Sequence, residues 1–107
     1  MPLAAPAAFE LRTAQPGVLA AVGALTFASA RHARELGSQA IGVAAAGELE
    51  VDCAGITLAD SAGLSVLIDW LGVARLAQRR LRYRQLPAGI AALARISEVE
   101  ELLARGV

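Results

Sequence analysis

The stretch from Glu48 to Leu64 constrains the fold more than any other part of the chain. Glu48-Leu49-Glu50-Val51-Asp52 alternates polar with apolar residues, as a half-buried strand does. A connecting segment, Cys53-Ala54-Gly55-Ile56-Thr57-Leu58-Ala59, leads to Asp60 or Ser61, either of which can cap a long apolar helix running to about residue 77. A strand that feeds directly into an apolar helix calls for a sheet on which the helix can lie.

The remaining segments supply that sheet. Phe9-Glu10-Leu11-Arg12-Thr13 alternates, Gln15-Pro16-Gly17 is a turn signal, and Val18-Leu19-Ala20-Ala21-Val22 completes a hairpin. Over residues 27–43, Ala, Arg, His, Glu and Leu replace β-branched residues, which predicts a helix capped by Thr26 or Ser29 and weakened by Gly37 and Gly42. Leu81-Arg82-Tyr83-Arg84 reads as a strand, Pro87 ends it, a helix follows over 88–96, and one more helical turn over 99–103. Residues 1–8 are rich in Ala and Pro and are expected to form a loose lead-in to one domain over 9–107. Alternating strands and helices at this length predict an α/β fold with one mixed sheet.

With 107 residues and 56% apolar composition, the chain can build a core without disulfides or metal. Ten basic and ten acidic residues balance, so bulk charge gives no reason to expect nucleic acid or anionic lipid as the main partner. Arg75, Arg79, Arg80, Arg82 and Arg84 cluster, and the alternation over 79–84 reads as one solvated strand face. A single cysteine, Cys53, excludes an internal disulfide and a multi-cysteine metal site, and fits a reducing compartment. The apolar run over 17–25 resembles a signal peptide, but Glu10 offsets Arg12 ahead of it and the Pro16-Gly17 turn sits where a continuous helix would need to start. It is also shorter than the roughly 20 residues a spanning helix needs. A cytoplasmic protein is expected.

Chemistry is sparsely provided for. His32 is the only histidine and lacks co-ligands, and a Cys53-His32 dyad lacks the third group that would orient it. Asp52 and Asp60 have no pocket signature around them, and no Gly-rich phosphate loop is present. Neither a cofactor, a metal nor an enzymatic activity is expected.

On a wheel at about 100° per residue, Leu64, Leu67, Ile68, Leu71 and Ala74 form a core-facing stripe on the central helix. Val66, Trp70, Val73 and Ala77 form an adjoining flank, and Ser65, Asp69 and Gly72 mark a narrow polar sector. An apolar arc this wide exceeds what a helix on a sheet buries. The surplus is read as a partner surface with Trp70 as its anchor, the alternative being that neighbouring helices cover it. Ser61 is either a simple N-cap or a switch: a phosphate there would meet free N–H groups, with Gly63 keeping the approach open, and would bring close to two negative charges to the docking edge. Asp60, Ser61, Gly63, Ser65, Val66, Asp69, Trp70 and Val73 are thus the candidate partner-binding residues, and homodimerisation through the same flank stays open.

The order Leu49-Glu50-Val51-Asp52, Gly55-Ile56-Thr57, Asp60-Ser61-Ala62-Gly63-Leu64 resembles the STAS domain, and the likeness extends from Phe9 through Leu103. That resemblance implies a mixed sheet of four to five strands with helices packed largely on one side. It also implies that Ser61, at the helix start, is phosphorylated or in contact with a partner. Two branches matter. In anti-sigma factor antagonists a kinase-like anti-sigma factor phosphorylates this serine, within a motif commonly reading Asp-Ser-Ser-Gly-Leu. In the Mla phospholipid-trafficking ABC transporter, the STAS subunit sits on the cytoplasmic ATPase subunit. The present chain is more similar to the second in its length, its Val73-Ala74-Arg75 helix exit and its Gly89-Ile90-Ala91-Ala92-Leu93-Ala94-Arg95-Ile96 tail. Ala62 replaces the second serine of the antagonist motif. The resemblance therefore implies a non-catalytic accessory subunit that regulates an ABC transporter ATPase serving outer-membrane lipid asymmetry, held at the inner membrane only through that partner. The alternative is an anti-sigma factor antagonist whose Ser61 phosphorylation controls a kinase-like partner. A small-ligand or nucleotide-sensing domain is a third class.

Overall fold

The computed structural model describes residues 8–43 and 47–107. The expected lead-in over 1–8 lies, apart from the exposed Ala8, outside these residues. The elements run β1 (Glu10–Gln15), β2 (Val18–Leu25), α1 (Ala30–Val43), β3 (Glu48–Ala59), α2 (Ser61–Leu76), β4 (Arg80–Arg84), α3 (Ala88–Ile96) and α4 (Glu100–Arg105). They build an α/β fold with one mixed sheet in the order β1-β2-β3-β4. The hairpin β1-β2 is antiparallel, while β2-β3 and β3-β4 are parallel. Parallel neighbours require long crossovers, and α1 and α2 supply them.

The sheet separates two environments. Leu19, Ala21, Leu49, Val51, Cys53 and Leu81 are buried beneath the helices. On the opposite face, Arg12, Ala20, Asp52 and Arg84 stand in one cross-strand row. There Arg84 bridges Glu50 at 3.5 Å and Asp52 at 3.2 Å, and Arg12 pairs with Glu10. Opposite charges on neighbouring strands support such a solvated face.

Strand β2 runs three residues beyond the expected Val22, to Leu25, and two further boundaries differ from the sequence reading. The strand expected to end at Asp52 continues to Ala59, which makes Cys53 a mid-strand residue. Its alternation is broken by two bulges: the three residues of β2 from Ala20 to Val22 face the four of β3 from Asp52 to Gly55, and Gly23/Ala24 face Ile56 and Leu58. Burial accordingly slips from odd positions (Leu49, Val51, Cys53) to an even one, Ile56. Helix α1 begins at Ala30, because Ser29 is held in the preceding turn: its hydroxyl accepts from the Thr26 amide at 3.0 Å and donates to the Ala24 carbonyl at 2.7 Å.

The apolar arc of α2 has an internal explanation. The helix contacts β3 and β4 of the sheet, α1 on one flank and α3 on another. Val66 and Trp70, expected on a partner surface, are fully covered within the domain, with Trp70 only 1% exposed. The indole N–H donates to the Ala33 carbonyl of α1 at 3.2 Å, and the ring lies 6.0 Å from that of Phe9. Gly37 permits this approach, since a Cβ there would stand 2.0 Å from the indole nitrogen. The glycine that weakened the α1 prediction is the residue that lets Trp70 in.

Candidate functional site

The start of α2 is organised by Asp60. Its backbone is extended (φ −133°, ψ −168°), so it stands outside the helix as the N-cap. One carboxylate oxygen accepts from the Gly63 amide at 3.1 Å, and the other accepts from the amide of Phe27, in the β2-α1 loop, at 3.0 Å. The Phe27 N–H is the main reason the Asp60 carboxyl is held below its ordinary value, with the Gly63 N–H adding to it and partial burial opposing it.

With Asp60 as cap, Ser61 is the first helical residue. Its side chain is exposed and takes no part in the cap. One turn on, the Ser65 hydroxyl donates to the Ser61 carbonyl at 3.2 Å. Ser61, Ser65, Asp69 and Gly72 form the exposed stripe of α2, while Val73 is half-buried against the core. Gly63 is buried: a Cβ there would stand 2.2 Å from the Leu25 carbonyl oxygen. Its role is close helix–strand packing, which corrects the expectation that it opens an approach for a ligand. Of the eight candidate residues, Asp60, Ser61, Ser65 and Asp69 therefore lie together at accessible positions, whereas Gly63, Val66 and Trp70 face inward.

Two accessible apolar residues beside Ser61 were not singled out from the sequence. Phe27 is 84% exposed and Leu58 53% exposed. The Asp60 carboxylate holds the Phe27 backbone at the helix start, and Leu58 precedes Asp60 by two residues. A groove of about 340 Å³ lined by Phe9, Ala24, Thr26, His32 and Leu58 adjoins them. The sequence pattern places Phe27 at the start of α1, and nothing in its neighbours signals that the loop displays it.

The remaining candidates do not assemble into a reactive site. Cys53 is fully buried, and desolvation pushes its thiol up to about 12, with the Asp52 charge adding to the effect. His32 is exposed on α1. Asp52 accepts from the Ala54 amide at 3.0 Å on the open sheet face. Seven residues of strand lie between it and Asp60, a separation of roughly 25 Å along the chain. No group of three or more metal-ligating side chains occurs among the described residues, and no helix among them is long and apolar enough to cross a membrane. The arginine cluster also divides: Arg82 and Arg84 lie on the exposed side of β4, while Arg75 lies near the end of α2 and Arg79 in the turn that follows.

Comparison with known proteins supplies a family match and a likeness to solved structures. A family model described as "Mlab, STAS domain" matches residues 9–104. The solved structure of the anti-sigma factor antagonist SpoIIAA in its unphosphorylated form superposes with a TM-score of 0.59 at 16% identity, covering 89% of this chain and 83% of that one. At that identity the likeness is one of fold. No curated protein shows significant sequence similarity to the chain.

Proposed function

Because the chain belongs to the Mlab STAS-domain family, we propose that it is a non-catalytic accessory subunit that binds and regulates the cytoplasmic ATPase subunit of a phospholipid-transport ABC transporter, in the service of outer-membrane lipid asymmetry. The observation that carries this reading is the ridge at the start of α2. There Asp60 ties the Phe27 loop to the first helical turn, and Phe27, Leu58 and Ser61, all within three residues of that carboxylate or bonded to it through the backbone, are exposed. Exposed aromatic and aliphatic side chains next to small polar groups suit a protein interface with an apolar centre and a polar rim. Ser65 and Asp69 extend the rim along α2.

The test is co-purification of the intact chain with the phospholipid-transporter ATPase subunit from the same genome, followed by the ATPase rate of the complex. Phe27→Ala and Ser61→Glu are each expected to weaken the complex by about tenfold or more, as loss of a central anchor or insertion of a charge does. An acid in the first turn favours the helix dipole, so Ser61→Glu should keep the fold and isolate the effect on binding. A stable complex unaffected by either substitution would remove the ridge from the interface, and failure to form any complex would overturn the transporter reading.

A second reading is favoured by the accessibility of Ser61. A kinase-like partner could phosphorylate it, making the chain an anti-sigma factor antagonist. Stoichiometric phosphorylation of Ser61 by such a partner, abolished in Ser61→Ala, would establish that alternative.

A further inference from the structure

At the opposite end of α2, Arg75, Arg79, Arg80 and Arg105 line an open pocket of about 440 Å³ with Leu102 and Val107 on its wall. The 16 residues of α2 at ~1.5 Å each place it about 24 Å from Ser61, clear of the ridge.

The pocket is built by backbone. Helix α2 ends in a Schellman turn, with the Arg79 amide donating to the Ala74 carbonyl at 2.8 Å, the Gln78 amide to that of Arg75 at 3.0 Å, and Gln78 left-handed at φ 58°. This turn sends Arg79 and Arg80 back beside Arg75. The other wall is fixed by reciprocal bonds between Leu81 and Val107, at 3.3 and 3.1 Å. Gly106 (φ 73°) makes that closure possible, since a Cβ there would stand 2.2 Å from the Leu81 carbonyl oxygen.

The charge gathered there is not tied up in ion pairs. Among the described residues, Arg12, Arg31, Arg84 and Arg95 engage in ion pairs, and none of the four pocket arginines does. The Arg79 Nε is sealed from solvent without a hydrogen-bond acceptor. A buried donor on an ionised group is costly to leave unpaired. The carboxyl ends of α2 and α4 account for a cation at Arg75 and Arg105, but not for Arg79 and Arg80 lining the same pocket.

We propose that this pocket binds a small organic phosphate. Guanidinium forks match phosphate oxygens bidentately, four of them line the pocket, and the apolar side chains of Leu102 and Val107 accommodate the carbon skeleton next to the phosphate. The volume suits a small ligand. A soluble metabolite and a lipid headgroup share this chemistry.

The intact chain is titrated with glycerol 3-phosphate and with pyrophosphate by calorimetry, and in parallel floated with vesicles of 30% phosphatidylglycerol in phosphatidylcholine. Saturable binding is expected in at least one arm, weakened about tenfold by Arg79→Gln and by Arg105→Gln, and unchanged by Arg34→Gln, which removes an arginine outside the pocket. Arg79→Lys, which keeps the charge and loses the fork, is expected to fall between. Arg105→Gln, on an exposed position, carries the test should Arg79→Gln fold poorly. Binding to soluble phosphates alone identifies a free metabolite. Vesicle binding with the same arginine dependence identifies a headgroup. No saturable binding in either arm, or an equal loss in Arg34→Gln, overturns the proposal.

Discussion

Trp70 shows how one side chain can be assigned to the wrong neighbour. Helical periodicity places it on an apolar flank, but periodicity reports the direction of a residue around its own axis and not which other element covers it. The cover is α1, admitted at Gly37 and bonded through the Ala33 carbonyl. Trp70→Ala is therefore expected to act on stability, costing about 3–5 kcal/mol as other buried aromatic truncations do. Gly37→Ala, which adds a single methyl group against the same indole, should cost about 1–3 kcal/mol. Denaturant midpoints of the two variants check this; native stability in Trp70→Ala would return the residue to the surface. Ser61 and Asp60 were legible as the helix start, and the structure decides between them through the two amides that the Asp60 carboxylate collects.

At the level of elements, the sequence was most readable where chemistry marks the ends. Pro87 opens α3, which runs over Ala88–Ile96 as its pattern predicts, and the hairpin follows from Pro16-Gly17. The sequence pattern carries β3 only to Asp52, because period-2 alternation is the signal for a strand and each bulge resets it. Helix ends without glycine were also hard to see. Glu98 (φ 62°) occupies the left-handed position of the Schellman turn after α3, with the Val99 amide bonded to the Ala94 carbonyl at 2.9 Å. A non-glycine residue pays a steric penalty there that glycine does not. Glu98→Gly is expected to raise stability by about 0.5–1 kcal/mol after the added freedom of the unfolded chain is deducted. An unchanged or lowered melting temperature would argue against this conformation at Glu98.

Across the whole molecule, the one-sided layering governs how stability responds to pH. Asp60 is held below its ordinary value of 3.8 by amides of the fold, so its contribution is present above that value and is lost as pH falls through the folded one. Asp52 behaves alike, through the Ala54 amide first and Arg84 second. Beneath the helices the sign reverses. Cys53 is raised from 9.0 to about 12 by burial, and Tyr83, whose hydroxyl donates to the Leu67 carbonyl, is raised above 10.0 by the same cause. Their contributions are intact below those ordinary values and are lost as pH rises toward the folded ones. Denaturant midpoints should thus form a plateau between about pH 4 and 9 that falls on both sides. Cys53→Ala should remove the part of the alkaline fall that begins near 9, and an unaltered fall would mean that the thiol ionises as readily in the folded chain as in the unfolded one.

The double engagement of Asp60 has a mechanical corollary. A single carboxylate fastens two segments that are 33 residues apart in sequence, the tip of the β2-α1 loop and the first turn of α2. They cannot be displaced independently without releasing one of its two grips. A displacement of the Phe27 loop, or a charge placed at Ser61, would therefore act on the same carboxylate.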